Sequence, residues 1–375
     1  MNLMLNQRTV YTRLRIFTEL VSVFLISLVP VSTSAIAQET RTRDDSFQAM
    51  TLTSKAFRIA TDKIRPALVT IESFGGVSTI EGRIGGIRKQ GEGNTTGVMI
   101  SADGYLLTST FNFIQQPPLI SVIPSDGVRR FAKIVGRDDT RKICLLKIEG
   151  VEGMCVPEMV GLDEITVGQW AVSLGVGYGD SQPAISMGII SAKNRIGGRA
   201  IQTDANLSPA NYGGPLVDIR GRMLGICVPL DPQSQAIGAG VEWYDSGIGF
   251  AIPMSGAEAL IQRLKNGETI SPAFLGVQAI PDPSGKGLWI EQVVPKTPAA
   301  EVGLLREDVI VGVDGQEVTD MLRLRQVLNR FESGQEIELS IIKEGQTAET
   351  KIKLKLGTPP KPNGEPTPLE PPKIR

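Results

Sequence analysis

Thr203-Asp204-Ala205-Asn206-Leu207-Ser208-Pro209-Ala210-Asn211-Tyr212-Gly213-Gly214-Pro215-Leu216-Val217-Asp218 is the stretch from which the fold of this chain is read. Two adjacent glycines let the backbone turn sharply and come close to another segment, because neither carries a Cβ. Pro215-Leu216-Val217 then has the composition of a strand that starts at the turn. A Gly-rich turn before a strand accounts for Gly213-Gly214 alone and leaves the rest of the stretch unexplained. The side chain in front of the glycine pair is Tyr212. A phenol with a pKa of about 10 on a rigid ring is a poor nucleophile at neutral pH.

On both sides of this turn the chain breaks into short apolar runs. Ala67 to Glu72 reads as a first strand, and Thr96 to Ile100 and Tyr105 to Thr108 flank the turn Ser101-Ala102-Asp103-Gly104 like the arms of a hairpin. Further strands are expected over Ile120 to Ile123, Arg130 to Val135, Ile143 to Ile148, Trp170 to Leu174, Ala184 to Ser191, Ala200 to Thr203, Met223 to Pro229 and Ile248 to Ile252. Most are parted by Gly, Pro or Asp clusters, a spacing that indicates antiparallel barrels or sandwiches and not a βαβ fold. Gly75 to Gly93 reads as a Gly-rich surface loop. Two helices bracket the strands. Ser54 to Arg65 carries Ala56, Ile59, Ala60 and Ile64 at helical spacing and stops at Pro66; Met254 to Lys265 carries Ala257, Leu260, Ile261 and Leu264, with Gly267 just past its end. The second helix marks a domain boundary, and another compact unit runs from Phe274 to about Leu356.

A length of 375 residues with 41% hydrophobic and 21% charged side chains suits a globular protein of about two domains. The formal charge is −1 with no long basic block, so nucleic acid has no electrostatic footprint here. The decisive number is zero histidines, since histidine is the usual general base for serine and cysteine nucleophiles and the commonest metal ligand. A Ser-His-Asp triad cannot form in this chain, and nothing calls for a metal or another cofactor. Arg8, Arg13 and Arg15, the apolar run Leu20 to Val29, and Ala35-Ile36-Ala37 before Gln38 have the order of a secretory signal peptide over 1–37. The alternative is an uncleaved anchor, for which the run is short. A polar lead follows over 38–53. Cys144 and Cys227 sit in apolar strand patterns, as buried inert thiols do, and Cys155 is near enough in sequence to pair with Cys144 across a short loop.

These residues resemble the HtrA/Deg family, secreted trypsin-like serine proteases and chaperones with C-terminal PDZ domains. The resemblance covers Ser54 to about Leu356. It rests on Arg65-Pro66-Ala67-Leu68-Val69, Ile100 to Thr108, Thr203 to Val217 and Gly247-Ile248-Gly249-Phe250-Ala251-Ile252-Pro253, in that order. It implies a mostly β fold, a trypsin-like double six-stranded β-barrel over 54–266, then an α+β PDZ domain over 271–357 and a Pro-rich disordered tail over 358–375. The family's nucleophile loop reads Gly-Asn-Ser-Gly-Gly-Pro-Leu, and here it reads Ala210 to Leu216, so Tyr212 stands at the nucleophile. Where the family shows Ile-Leu-Thr-Asn-Asn-His-Val, this chain has Leu106 to Asn112, which puts Phe111 at the base. Asp-Pro-x-x-Asp-Ile-Ala-Val-Leu is matched by Asp138 to Leu146, which puts Lys142 where an aspartate would orient the base. Ala210 replaces the glycine whose N–H helps form the oxyanion hole, with Asn211 beside it. Phe111 and Tyr212 are expected to stack and fill the emptied cleft. The other chemistry that the composition permits is Lys142 acting as base for Ser109 or Ser208, or activating Tyr212, although the family scaffold aims neither serine at a substrate carbonyl.

In the second unit Phe274-Leu275-Gly276-Val277 resembles the carboxylate-binding loop of a PDZ domain, and Leu324, Val327, Leu328 and Phe331 recur at helical spacing on the helix that would line the peptide groove. No Arg or Lys stands in Ser271-Pro272-Ala273 to help hold a carboxylate. The resemblance and its substitutions together imply a protein of the periplasm or cell envelope that binds peptide C-termini or unfolded proteins without cleaving them. It would do so as a homo-oligomer, trimers being common in the resembling family, or together with active relatives. Two other readings stay open: an active serine-type endopeptidase in protein quality control, and a non-catalytic subunit or adaptor of an envelope complex.

Overall fold

The computed structural model describes residues 48, 51–74, 94–114, 116–177, 182–231, 240 and 245–360. The expected signal segment, most of the polar lead, the loop from Gly75 to Gly93 and the tail from residue 361 lie outside them. Two compact units part between Ala56 and Phe57, and all the strands belong to the second.

Residues 51–64 are helical (α1) and end in the 3-10 turn Arg65–Ala67, where Pro66 lacks the N–H that another helical bond would need. The buried face is Phe57, Ala60 and Ile64, whereas Ile59, expected on that face, is 54% exposed. Phe57 decides the rotation, because its ring meets Trp170 edge-on at 5.4 Å and draws the i, i+3, i+7 stripe inward.

Six strands follow: β1 (Leu68–Phe74), β2 (Asn94–Met99), β3 (Tyr105–Ser109), β4 (Leu119–Ile123), β5 (Arg130–Asp138) and β6 (Ile143–Ile148). They pair in the order β5-β4-β1-β2-β3-β6, and β6 returns to β5, so the sheet closes and leaves no free edge. Each strand turns alternate apolar side chains inward. Ile71, Met99, Leu106, Val122 and Leu146 fill the interior. The hairpin expected between β2 and β3 forms, with the Ser101 hydroxyl accepting from the Tyr105 amide at 2.9 Å.

A second closed barrel is built from β7 (Trp170–Gly175), β8 (Ala184–Asn194), β9 (Ala200–Thr203), β10 (Pro215–Val217), β11 (Met223–Val228) and β12 (Gly249–Ile252), in the order β10-β11-β12-β9-β8-β7. A helix, α2 (Glu258–Lys265), leads away from it. It starts later than its apolar spacing suggests, because Gly256 adopts φ +69° and Ser255 turns its hydroxyl to the Leu162 amide. A short strand, β13 (Thr269–Ile270), then lies parallel to β5 on the first barrel.

The C-terminal domain contains β14 (Val277–Pro281), β15 (Leu288–Val293), α3 (Pro298–Glu301), β16 (Val309–Val313), β17 (Gln316–Glu317), α4 (Met321–Leu328), β18 (Glu336–Ile342) and β19 (Glu349–Lys355). Its sheet runs β14-β15-β16-β18-β19, so β14 is an edge strand, paired on one side only. Leu288, Ile290, Ile310, Val327, Leu339 and Ile341 form its core. The architecture is therefore mostly β, a trypsin-like pair of barrels followed by a PDZ domain.

Candidate functional site

Hydrogen bonds from Ser109 and Thr110 hold Lys142 beside the turn that carries Phe111, and a ring contact sets Phe111 against Tyr212. At the end of β3 the chain enters the 3-10 turn Thr110–Phe113, capped by Ser109, whose hydroxyl accepts from the Phe111 amide at 3.3 Å and donates to the Lys142 carbonyl at 3.2 Å. The Thr110 amide donates to the same carbonyl at 3.0 Å. Lys142 is buried and held at φ +55°, a left-handed conformation that a non-glycine residue rarely adopts. Across the cleft, the rings of Phe111 and Tyr212 meet edge-on, with centroids 5.2 Å apart and planes at 77°. Both are 3% exposed and belong to the apolar cluster of the second barrel. A nucleophile would need its reactive atom open to a substrate; here the position lies inside the core.

The loop before the glycine pair is wound on itself. The Ser208 carbonyl accepts from the amides of Asn211 (2.8 Å) and Tyr212 (3.2 Å), and the Ala210 amide donates to the Ser208 hydroxyl at 3.3 Å. An oxyanion hole requires such N–H groups to face the ligand. In this arrangement those of Ala210 and Tyr212 both point at Ser208. The two serines considered as nucleophiles are also engaged locally: Ser109 is fully buried, and the Ser208 hydroxyl donates to the Asn211 side chain at 2.9 Å.

What keeps the loop in place is a ladder of small polar side chains from the first barrel. Thr108 donates to the Thr96 carbonyl, and Thr96 donates to the Ala210 carbonyl, both at 2.6 Å. The Asn112 amide group donates to Thr108 (2.9 Å) and to the Tyr212 carbonyl (3.1 Å). Gly213, at φ +88°, lies so close to Thr108 and the Thr96 carbonyl that any Cβ would collide. The sequence marks none of Thr96, Thr108 and Asn112 as special; their role comes from β2 and β3 facing the loop.

In the C-terminal domain Phe274 is tied to Gly357 in both directions, at 3.0 and 2.9 Å. The amides of Leu275 and Gly276 donate to no acceptor among the described residues. Gly276 stands at φ +91° against Thr297, and its carbonyl accepts from the Val294 amide at 2.9 Å. Leu275, Leu324, Val327 and Leu328 are buried in the domain core, while Phe274 and Val277 are only half buried. The structure thus sets two loose amides beside the free edge of β14.

The thiols divide plainly. Cys144 and Cys227 are fully buried and Cys155 is exposed, so the pairing of Cys144 with Cys155 considered from their spacing does not form. Burial in apolar surroundings pushes the Cys144 thiol up to about 12 and also raises Cys227. No group of residues suited to hold a metal occurs among the described residues.

Residues 95–226 match the trypsin-like peptidase domain family, and residues 273–354 match the PDZ domain family. The chain is 33% identical over 273 residues to a protein of Chlamydia trachomatis serovar D named "Probable periplasmic serine endoprotease DegP-like", across 68% of this chain and 53% of that one. It is 31% identical over 284 residues to the "Periplasmic pH-dependent serine endoprotease DegQ" of Escherichia coli, across 71% of this chain and 60% of that one. It therefore spans little more than half the length of these curated relatives. Among solved structures, the HtrA-type protease AlgW with a decapeptide superposes with a TM-score of 0.60 at 28% identity, over 82% of this chain and 99% of that one. Two barrels with a Gly-Gly turn of the second packed against the first, a PDZ domain after them and these relatives agree: the chain belongs to the HtrA/Deg family.

Proposed function

We propose that this chain is a catalytically silent HtrA-like protein of the periplasm or cell envelope, which captures peptide C-termini or unfolded chains through its PDZ domain and does not cleave them. The observation that carries the reading is the buried edge-to-face pair of Phe111 and Tyr212, which occupies the cleft where a base and a nucleophile would meet. Three further points support it. The chain has no histidine, Lys142 offers a cation where a carboxylate would stabilise an imidazolium, and the amides of Ala210 and Tyr212 are turned into their own loop. Peptide capture is supported by the unpaired edge of β14 beside the amides of Leu275 and Gly276. A peptide strand added there would gain main-chain hydrogen bonds and present its terminal carboxylate to those donors. The periplasmic location extends the relatives' printed names to this chain, with 1–37 as its signal peptide, 54–266 as the pseudoprotease domain and 271–357 as the PDZ domain.

The purified chain should neither cleave unfolded casein nor react with a fluorophosphonate probe. Tyr212→Ser alone should stay silent, because a serine without a base retains only the small residual catalysis of binding and oxyanion stabilisation. Covalent labelling at Tyr212, Ser109 or Ser208, lost on mutation of that residue, would sink the reading. Recovered cleavage by Tyr212→Ser would show Lys142 serving as base.

A further inference from the structure

The densest ionic cluster among the described residues lies outside both sites, where the barrels meet the PDZ domain. Glu332 follows the helix α4 and shares its carboxylate between two guanidinium groups. Arg141, on the loop of Lys142, donates to one oxygen at 3.0 Å, and Arg263, on α2, donates to the other at 2.9 Å. Arg141 also reaches the fully buried Asp138 at 2.6 Å, and Arg263 binds Glu268. From the second barrel, Arg199 donates to the Phe331 carbonyl at 2.7 Å, and the turn at Gly197 comes so close to the Asn329 carbonyl that a Cβ would sit 2.7 Å from it. Three segments far apart in sequence thus converge on residues 329–332.

Those residues border the carboxylate loop. Glu332 forms a strand bridge with Pro272, and the Ser333 amide donates to the Ser271 carbonyl at 2.9 Å. Phe274, two residues beyond Pro272, is clamped on its other side by Gly357. The segment 271–276 is therefore held between 332–333 and 357, and one of these two supports is itself fixed by arginines of the barrels. Within the PDZ domain, Leu275 and Gly276 are also held through their carbonyls, by the amides of Ala299 (3.0 Å) and Val294 (2.9 Å), so the support from the barrels acts at the start of the segment, at residues 271–272. The domain's own sequence before the loop, Ser271-Pro272-Ala273, contains no cation.

We propose that Arg141, Arg199 and Arg263 are positioning residues for peptide binding, acting through Glu332 and Phe331 to set the segment whose amides receive the peptide's terminal carboxylate. The inference rests on the peptide-capture reading above. It assigns to the barrels a part in a binding site that they do not line, and it gives the loop 138–142, without its orienting aspartate, a different task.

The test uses the full chain and a fluorescein-labelled Ala-Ser-rich peptide ending in Leu-Val, compared as free acid and as C-terminal amide by fluorescence anisotropy. Glu332→Gln keeps the shape and removes the charge. Arg141→Met breaks the same tie from the barrel side and leaves the PDZ core untouched. Both should weaken the free acid about tenfold, the scale of one charge-assisted hydrogen bond, while the amide changes less than about twofold. Variants that keep the preference for the acid would overturn the inference and leave peptide capture standing. Equal loss of acid and amide would overturn it too, because the groove as a whole would then have collapsed. If the unaltered chain binds neither peptide, or Gly276→Pro binds as it does, peptide capture itself fails and the inference goes with it.

Discussion

A phenyl ring at position 111 has no lone pair with which to take a proton, but it can pack edge to face with Tyr212, the ring centroids lying 5.2 Å apart. Such a pair is worth about 1 kcal/mol beyond the area it buries. Emptying either position would leave a void in a cluster that also holds Leu207, Leu216 and Cys227. Phe111→Ala is accordingly expected to destabilise the chain by about 3–5 kcal/mol, read from urea unfolding. Combined with Tyr212→Ala, the loss should fall short of the sum of the two single losses by about 1 kcal/mol, because one contact cannot be broken twice. Strict additivity would mean that the rings only share a neighbourhood. Residue by residue, the packing of Phe111 against Tyr212 was legible in the sequence because each falls inside a recognisable motif. The inward turn of the Ala210 and Tyr212 amides was not, since it depends on the hydroxyl of Ser208 lying within reach of the first and its carbonyl within reach of the second.

At the level of elements, the strands were legible to within a few residues. Ile143–Ile148 and Ala200–Thr203 have the bounds their composition suggests, because a Gly, Pro or Asp cluster cuts each side. The misreadings have local causes. α2 begins at Glu258 and not at Met254, since Gly256 takes a left-handed φ that no helix continues through. Ile59 faces outward because Phe57, one turn-step away, has the larger ring to bury. Closure is a different matter. β6 follows β5 as a hairpin, but β1 pairs with β4 and β3 with β6 across long stretches of chain, and alternation along a strand reveals which face is buried but not which strand lies beside it. The parallel attachment of β13 to β5 is equally silent in a two-residue segment.

On the scale of the whole molecule, the tie between barrels and PDZ domain was invisible in the sequence, because its members come from segments that no motif links. Its pH dependence follows from Glu332. Burial pushes that carboxyl up, but the hydrogen bonds from Arg263 and Arg141 outweigh burial and leave it below the ordinary glutamate value. A carboxyl depressed on folding contributes stability that is complete above the unfolded value, about 4.3, and is lost as the pH falls through the folded one. Asp138 works the other way, since burial raises it despite the pull of Arg141. The gap in urea midpoint between the unaltered chain and Glu332→Gln should therefore be full at neutral pH and close below about pH 4. A gap that stays constant would mean that Glu332 contributes by packing alone. The burial of Cys144 and Cys227 has a practical corollary for such measurements. With only three cysteines in the chain and two of them sealed inside the barrels, the native protein offers a reagent one address. A maleimide at neutral pH should couple with one-to-one stoichiometry at Cys155, and Cys155→Ser should take up none until urea opens the barrels. A dye there sits between β6 and β7, and replacing Trp170 and Trp243 would leave Trp289 of the PDZ domain as the single indole to report the span between them.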